Sequence, residues 1–248
     1  MTEKRQKLIV ANWKMNGTQE FSRDLAADLA EKWFANPSPH QIVVCPPFSY
    51  LSIVLNRLFG TEIACGAQDC SVHEKGAYTG EISSLMVRDI GCRYVIVGHS
   101  ERRHHHQETS ALVRQKAESA LKVGLKPIIC IGETLAERED QKTLKILEDQ
   151  LTASVPEGNQ EMAIAYEPVW AIGTGKTATS KEILEVHAFI RSWMQKNRQN
   201  GSDMPILYGG SVTDQNAQEI LSLENVDGVL VGGASLKSES FWQIVQAA

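Results

Sequence analysis

A carboxylate closes a short apolar run, and a proline follows at once: A-I-A-Y-E-P-V-W-A-I-G-T-G-K from Ala163 to Lys176. Ala163–Tyr166 reads as a buried strand, so Glu167 stands where strand turns to loop. Pro168 offers no N–H to a ladder and stiffens the exit. Gly173 and Gly175 then flank a tip able to bend or close. A glutamate starting a loop or helix is ordinarily solvated. Between an apolar strand and a proline, Glu167 is instead expected to be held, partly buried and pointing inward. Partial burial raises a carboxylate's pKa toward the range useful for a base. A closing segment beside it would keep that base dry.

Other reactive types also follow apolar runs. Lys14 comes just after Leu8–Ala11. Alone it reads as a solvated surface charge; at a shared mouth its ammonium would hold an anionic substrate and balance charge growing on an enolate oxygen. Asn12 beside it can donate to the same oxygen or merely fix the turn. His99 sits in V-G-H-S-E-R-R, past Tyr94–Val97. Gly98 allows a tight exit, and Ser100 and Glu101 open a segment whose N–H groups could face the ring. A helix N-terminus favours neutral imidazole, which can give a proton or hydrogen bond to a carbonyl. Glu101 is either a second site carboxylate or a helix N-terminal charge. Gly209-Gly210-Ser211 and Gly232-Gly233 each read singly as a turn. At the ends of the last two strands, such pairs let backbone N–H groups approach a phosphate.

The elements that must position these groups are legible as alternating patterns. Leu8–Ala11, Ile42–Cys45, Ile63–Ala67, Tyr94–Val97, Ile128–Ile131, Ala163–Tyr166, Ile206–Tyr208 and Gly228–Val231 are short apolar runs without polar alternation. That is the pattern of parallel strands buried on both faces. Helical stripes lie between them: Phe21, Leu25, Leu29, Trp33; Val113, Ala117, Ala120, Leu121; Leu144, Leu147, Leu151; Ile183, Val186, Ile190, Trp193. Thr179 and Glu182 have capping-box spacing before the last stripe. Eight strand–helix units in 248 residues predict an α/β fold, a (β/α)8 TIM barrel, with a doubly wound sheet as the alternative. No linker or composition break divides the chain, so residues 1–248 are expected to form one domain. Its site should lie at the C-terminal ends of the strands.

Composition narrows the classes. A net charge of −5 gives no broad attraction to nucleic acid or anionic membrane, so an anionic ligand needs local attraction. The N-terminal apolar run is too short for a signal peptide, and none approaches a membrane span. Five cysteines without C-x-x-C predict reduced, mostly buried thiols in a cytoplasmic protein. His104-His105-His106 point to different faces of a helix, and no metal site is expected.

Eight segments in order resemble the triosephosphate isomerase family: A-N-W-K-M-N, G-A-Q-D, G-A-Y-T-G-E, V-G-H-S-E-R-R, C-I-G-E, A-Y-E-P-V-W-A-I-G-T-G-K, Y-G-G-S-V and V-G-G-A-S-L. The resemblance implies a cofactor-free aldose–ketose isomerase of glycolysis and gluconeogenesis. It would interconvert D-glyceraldehyde 3-phosphate and dihydroxyacetone phosphate through an enediolate. It implies Glu167 as base and neutral His99 as electrophile, a division of roles known for that family rather than read from spacing. Lys14 and Asn12 would lie beside His99, with Glu101 supporting them. Gly173, Ser211, Gly232 and Gly233 would cradle the phosphate. A homodimer is implied, with the loop Lys75–Gly80 carrying Thr79 to the partner's site. The chain departs from common family residues at Asp69 (often Asn), Gln107 (often Gly) and Ser180 (often Pro), and at His104–His106. Alternatives are another phosphosugar enzyme on the same barrel, or a non-catalytic phosphate-binding protein.

Overall fold

The computed structural model of the chain describes residues 6–172 and 177–248. The strands are β1 (Leu8–Asn12), β2 (Gln41–Cys45), β3 (Ala64–Ala67), β4 (Tyr94–Val97), β5 (Lys126–Ile131), β6 (Ala163–Tyr166), β7 (Ile206–Tyr208) and β8 (Gly228–Val231). They pair in parallel and in sequence order, and β8 returns to β1 with Leu8 opposite Gly228. Closure leaves no strand edge unpaired.

The unbroken apolar runs have a simple cause: alternate residues serve two cores. Leu8, Val10, Val43, Cys45, Ile96, Ile128, Cys130 and Leu207 form one cluster, inside the barrel. Ile9, Ala11, Val44, Val95, Ile129 and Ile164 face the other way and pack with helix residues such as Leu25, Leu29, Val113, Leu151 and Ile190. All five cysteines are free and buried. The expected capping box is present: Thr179 and Glu182 exchange bonds at the start of the helix Ser180–Asn197. The stripe through Leu144 is only partly correct, because Leu147 and Leu151 are buried while Leu144 is 37% exposed. Strand β5 starts two residues earlier than its apolar run. Lys126 N–H still reaches Arg93 O, so Pro127 interrupts the ladder only near the strand's start. Among the described residues no helix is long and apolar enough to cross a membrane.

Within the helix Ser180–Asn197, His187 is fully buried beside the rings of Tyr166 and Tyr208. Its Nδ1 lies 2.9 Å from Asn225 O, and its Nε2 has no hydrogen-bond partner among the described residues. Burial pushes its pKa from 6.5 down to about 4, against the pull of the Asn225 carbonyl. The unfolded chain therefore binds more protons than the native one between these values, and stability is lost as pH falls through that window. The loss attributable to His187 is about 3 kcal/mol. Urea unfolding of wild type and His187→Gln at several pH values is expected to give a shallower pH slope for the variant.

Candidate active site

Every strand ends at the same rim, and the polar exits meet there. At the end of β1, Asn12 Oδ1 accepts the Lys14 N–H at 3.0 Å. Lys14 itself has φ +52°, a left-handed conformation uncommon for a side-chain-bearing residue. Gln68, following β3, holds it there: its Nε2 donates to Lys14 O at 2.8 Å and to Cys45 O at 2.9 Å. The Lys14 ammonium then meets Glu101 Oε1 at 2.6 Å.

At the end of β4, Gly98 turns with φ +68°, and a Cβ there would lie 2.7 Å from Val113. His99 follows and caps the short helix Ser100–His105. The Glu101 N–H donates to its Nδ1 at 3.2 Å. That bond assigns the neutral ring's proton to Nε2. Nε2 faces Glu167 Oε1 at 2.9 Å.

Glu167 is 2% exposed. Its other oxygen, Oε2, accepts the Ser100 N–H at 2.9 Å. Two glycines make room for it. A Cβ on Gly132 would sit 1.7 Å from Glu167 O, and one on Gly209 would sit 2.9 Å from Glu167 Cγ. Burial acts to raise the carboxyl pKa, but His99, the Ser100 N–H and Lys14 together hold it below its ordinary value. This corrects the expectation of a raised pKa: burial is present, and the facing donors outweigh it. For His99, burial disfavours the imidazolium, while the Glu167 carboxylate draws the pKa upward as long as the pair is together.

Asn12, Lys14, His99, Glu167, Ser211, Gly232 and Gly233 line one cavity of about 310 Å³. Ile172 and Leu230 add apolar walls. Among the described residues nothing stands within 4 Å of a Cβ placed on Gly233, which opens the turn Gly233–Leu236. Ser211 Oγ donates to Ala171 O at 2.7 Å. Glu101 does not line this cavity; it reaches it through the Lys14 ammonium and through its N–H bond to His99, and it borders a neighbouring groove. Gly173 and Gly175, the glycines expected to flank a closing tip, lie outside the described residues. Glu133, another carboxylate at a strand exit, points away from the cavity. It accepts from Tyr166 OH, Trp170 Nε1 and Arg138, and so fixes the segment after Glu167.

Of the two N–H groups expected to face the ring, that of Glu101 does and that of Ser100 turns to Glu167 instead; Gln68 and the apolar walls are site components not singled out from sequence. Only Gln68 had a signal, its place in the strand exit G-A-Q-D.

The family model for triosephosphate isomerase matches residues 7–248. The chain belongs to the triosephosphate isomerase family. The triosephosphate isomerase of Nitrosococcus oceani is 48% identical over 246 residues, covering 97% of this chain and 98% of its own. That of Herminiimonas arsenicoxydans is 47% identical over 249 residues, with 98% and 100% covered. The crystal structure of the triosephosphate isomerase from Bartonella henselae superposes with a TM-score of 0.89 at 42% identity. It covers 98% of this chain and 99% of its own.

Proposed function

We propose that this chain interconverts D-glyceraldehyde 3-phosphate and dihydroxyacetone phosphate by proton transfer through an enediolate, as a step of glycolysis and gluconeogenesis. The observation carrying this reading is the pairing of His99 Nε2 with Glu167 Oε1 at 2.9 Å inside the cavity, with the Lys14 ammonium at its wall. Glu167 is the base. Its carboxylate leaves the Ser100 N–H, takes the proton from one carbon of the triose and returns it to the neighbouring carbon. His99 gives its Nε2–H to the carbonyl oxygen, where negative charge grows, and regains a proton from the neighbouring hydroxyl as that oxygen becomes the new carbonyl. When Glu167 turns to the carbon, the charge that drew the His99 pKa upward moves away, and the ring stays neutral. Lys14, aligned by Glu101, supplies positive charge, and Asn12 lies beside it.

The phosphate is held by backbone at Ser211, Gly232 and Gly233, where no side chain blocks approach. Ile172 and Leu230 limit water around the enediolate. Acid, base and counter-charge all come from side chains, so the reading calls for no cofactor. Residues 1–248 work as one domain, in the cytoplasm. The protein acts as a homodimer. Thr79 lies in the segment between β3 and β4, where Tyr78 stacks on His73 at 3.6 Å. A groove of about 450 Å³ beside the cavity, lined by Met15, Phe48, Glu101 and His105, receives that segment from the second copy. Met15 is 95% exposed in the single chain, as such a contact requires.

Turnover of glyceraldehyde 3-phosphate tests the reading, and absence of turnover would end it. Lys14→Ala is expected to weaken competitive binding of glycerol phosphate by about tenfold or more, a loss of roughly 1.4 kcal/mol. Equal binding by the variant would remove Lys14 as the electrostatic anchor.

A further inference from the structure

Beside the cavity lies a set of four charges that the mechanism does not use. Asp69, two residues past β3, meets Lys116 Nζ at 2.8 and 2.7 Å. Arg102 Nη2 reaches the same carboxylate at 2.9 Å. Arg102 Nε also donates to Glu108 Oε1 at 2.7 Å, and Lys116 Nζ shares that oxygen. Asp69, Glu108 and Lys116 are buried. Burial works against the charged form of Asp69, and the two bases oppose it. Two acids and two bases balance. Without the Asp69 charge, a buried lysine and an arginine would compete for one glutamate. None of the four lines the cavity where the triose is placed.

The set joins two segments that do line or support it. Arg102 belongs to the helix Ser100–His105, whose first N–H groups hold Glu167 and His99 and whose Glu101 holds Lys14. A helix this short is not stable on its own ladder and depends on ties from its side chains. Arg103 provides one set, to Gly98 O, Cys130 O, Ser110 and Ser154. Arg102 provides the other, to Asp69 and Glu108. On the opposite side, Asp69 is the chain neighbour of Gln68, which grips the left-handed Lys14 backbone. Asp69 is thus tied directly to the histidine's helix and, through one peptide unit, to the lysine's backbone.

We infer that Asp69 is a positioning residue for the isomerisation: by clamping Arg102 and Lys116 beside Gln68, it fixes the His99 imidazole relative to the Lys14 ammonium. The inference rests on the isomerase reading and assigns a task to a carboxylate where the family often has Asn.

Asp69→Asn and Arg102→Lys test it, singly and together, at protein concentrations over which specific activity is constant. Each single variant is expected to lose about tenfold in kcat, less than the ~10²-fold of a full 1 Å misplacement. KM and inorganic sulfate binding should stay within about twofold, because the phosphate groups hang on β7 and β8. The double variant should lose no more than the worse single, since both break one clamp. A kcat within about twofold of wild type in a folded single variant, or additive losses in the double, would overturn the inference. Should Asp69→Asn fail to fold, Arg102→Lys at its partly exposed position decides alone. The ¹⁵N signals of the His99 ring give a readout independent of turnover. They should shift in both single variants while those of His187, on a distant helix, stay in place. Shifted His99 signals in a protein without turnover would sink the isomerase reading and leave the clamp standing. Unmoved His99 signals would sink the clamp.

Discussion

Glu167→Asp is expected to slow turnover of glyceraldehyde 3-phosphate by on the order of 10²-fold or more, with sulfate binding nearly unchanged. The shorter side chain withdraws the carboxylate by about one carbon–carbon bond. The backbone has no room to follow. Glu167 N–H is bonded to Ile131 O at 2.7 Å, and Gly132 already lies against the Glu167 carbonyl. The neighbouring Gly209 N–H is fixed to Tyr166 O at 2.7 Å. Aspartate therefore keeps the charge but misses the carbon. Steady-state kcat for both enzymes, with sulfate inhibition constants, separates this from a loss of binding. An unchanged kcat would remove Glu167 as the base.

His99→Gln is expected to lower kcat by about 10²-fold or more with a much smaller change in KM, the pattern of an interaction made in the transition state. Glutamine keeps an N–H donor. Its acceptor, the amide oxygen, is not held opposite the donor by a rigid ring, so the Glu101 N–H no longer aims the donor into the cavity as it aims Nε2. The pH profile should change as well. His99 is the strongest of the influences that hold the Glu167 carboxyl below its ordinary value, and burial pushes the other way. With His99 gone, burial gains weight and the Glu167 pKa rises. The acid limb of kcat/KM should then move to higher pH in the variant. A limb that stays in place or moves lower would contradict the electrostatic account of the pair.

These groups could be found in the sequence because each directly follows an apolar run. Buried parallel strands leave no polar alternation, so Glu167, His99 and Lys14 stand out as the first reactive types past Tyr166, Val97 and Ala11. The strand bounds were legible to within two residues for the same reason. Leu51–Arg57, Ser84–Asp89, Leu135–Glu139 and Ala217–Ser222 were not. Each makes about two turns or fewer, too short for a 3.6-residue period to register. Strand β5 lost its start because Lys126 and Pro127 break the apolar run. The direction of the Glu167 pKa also escaped. Burial is foreseeable from neighbours in sequence, but the opposing donors come from Ser100 and His99, brought in by another strand. The Ser100 N–H is expected from sequence to face the imidazole, and only the folded barrel brings the Glu167 carboxylate to it. The clamp at Asp69 depends on partners 33 to 47 positions away, so only the folded barrel assembles it.

The central claim is that Glu167 moves a proton between adjacent carbons of a triose phosphate. Its most direct test is proton NMR of glyceraldehyde 3-phosphate converted in D₂O. A proton carried on the Glu167 carboxyl is an acid proton open to exchange with solvent deuterium, whereas a direct carbon-to-carbon shift exchanges nothing. The account predicts dihydroxyacetone phosphate carrying solvent deuterium on the carbon that was the aldehyde, formed at least ~10²-fold more slowly by Glu167→Asp. Product wholly protiated at that carbon, or formed equally fast by the variant, would contradict it.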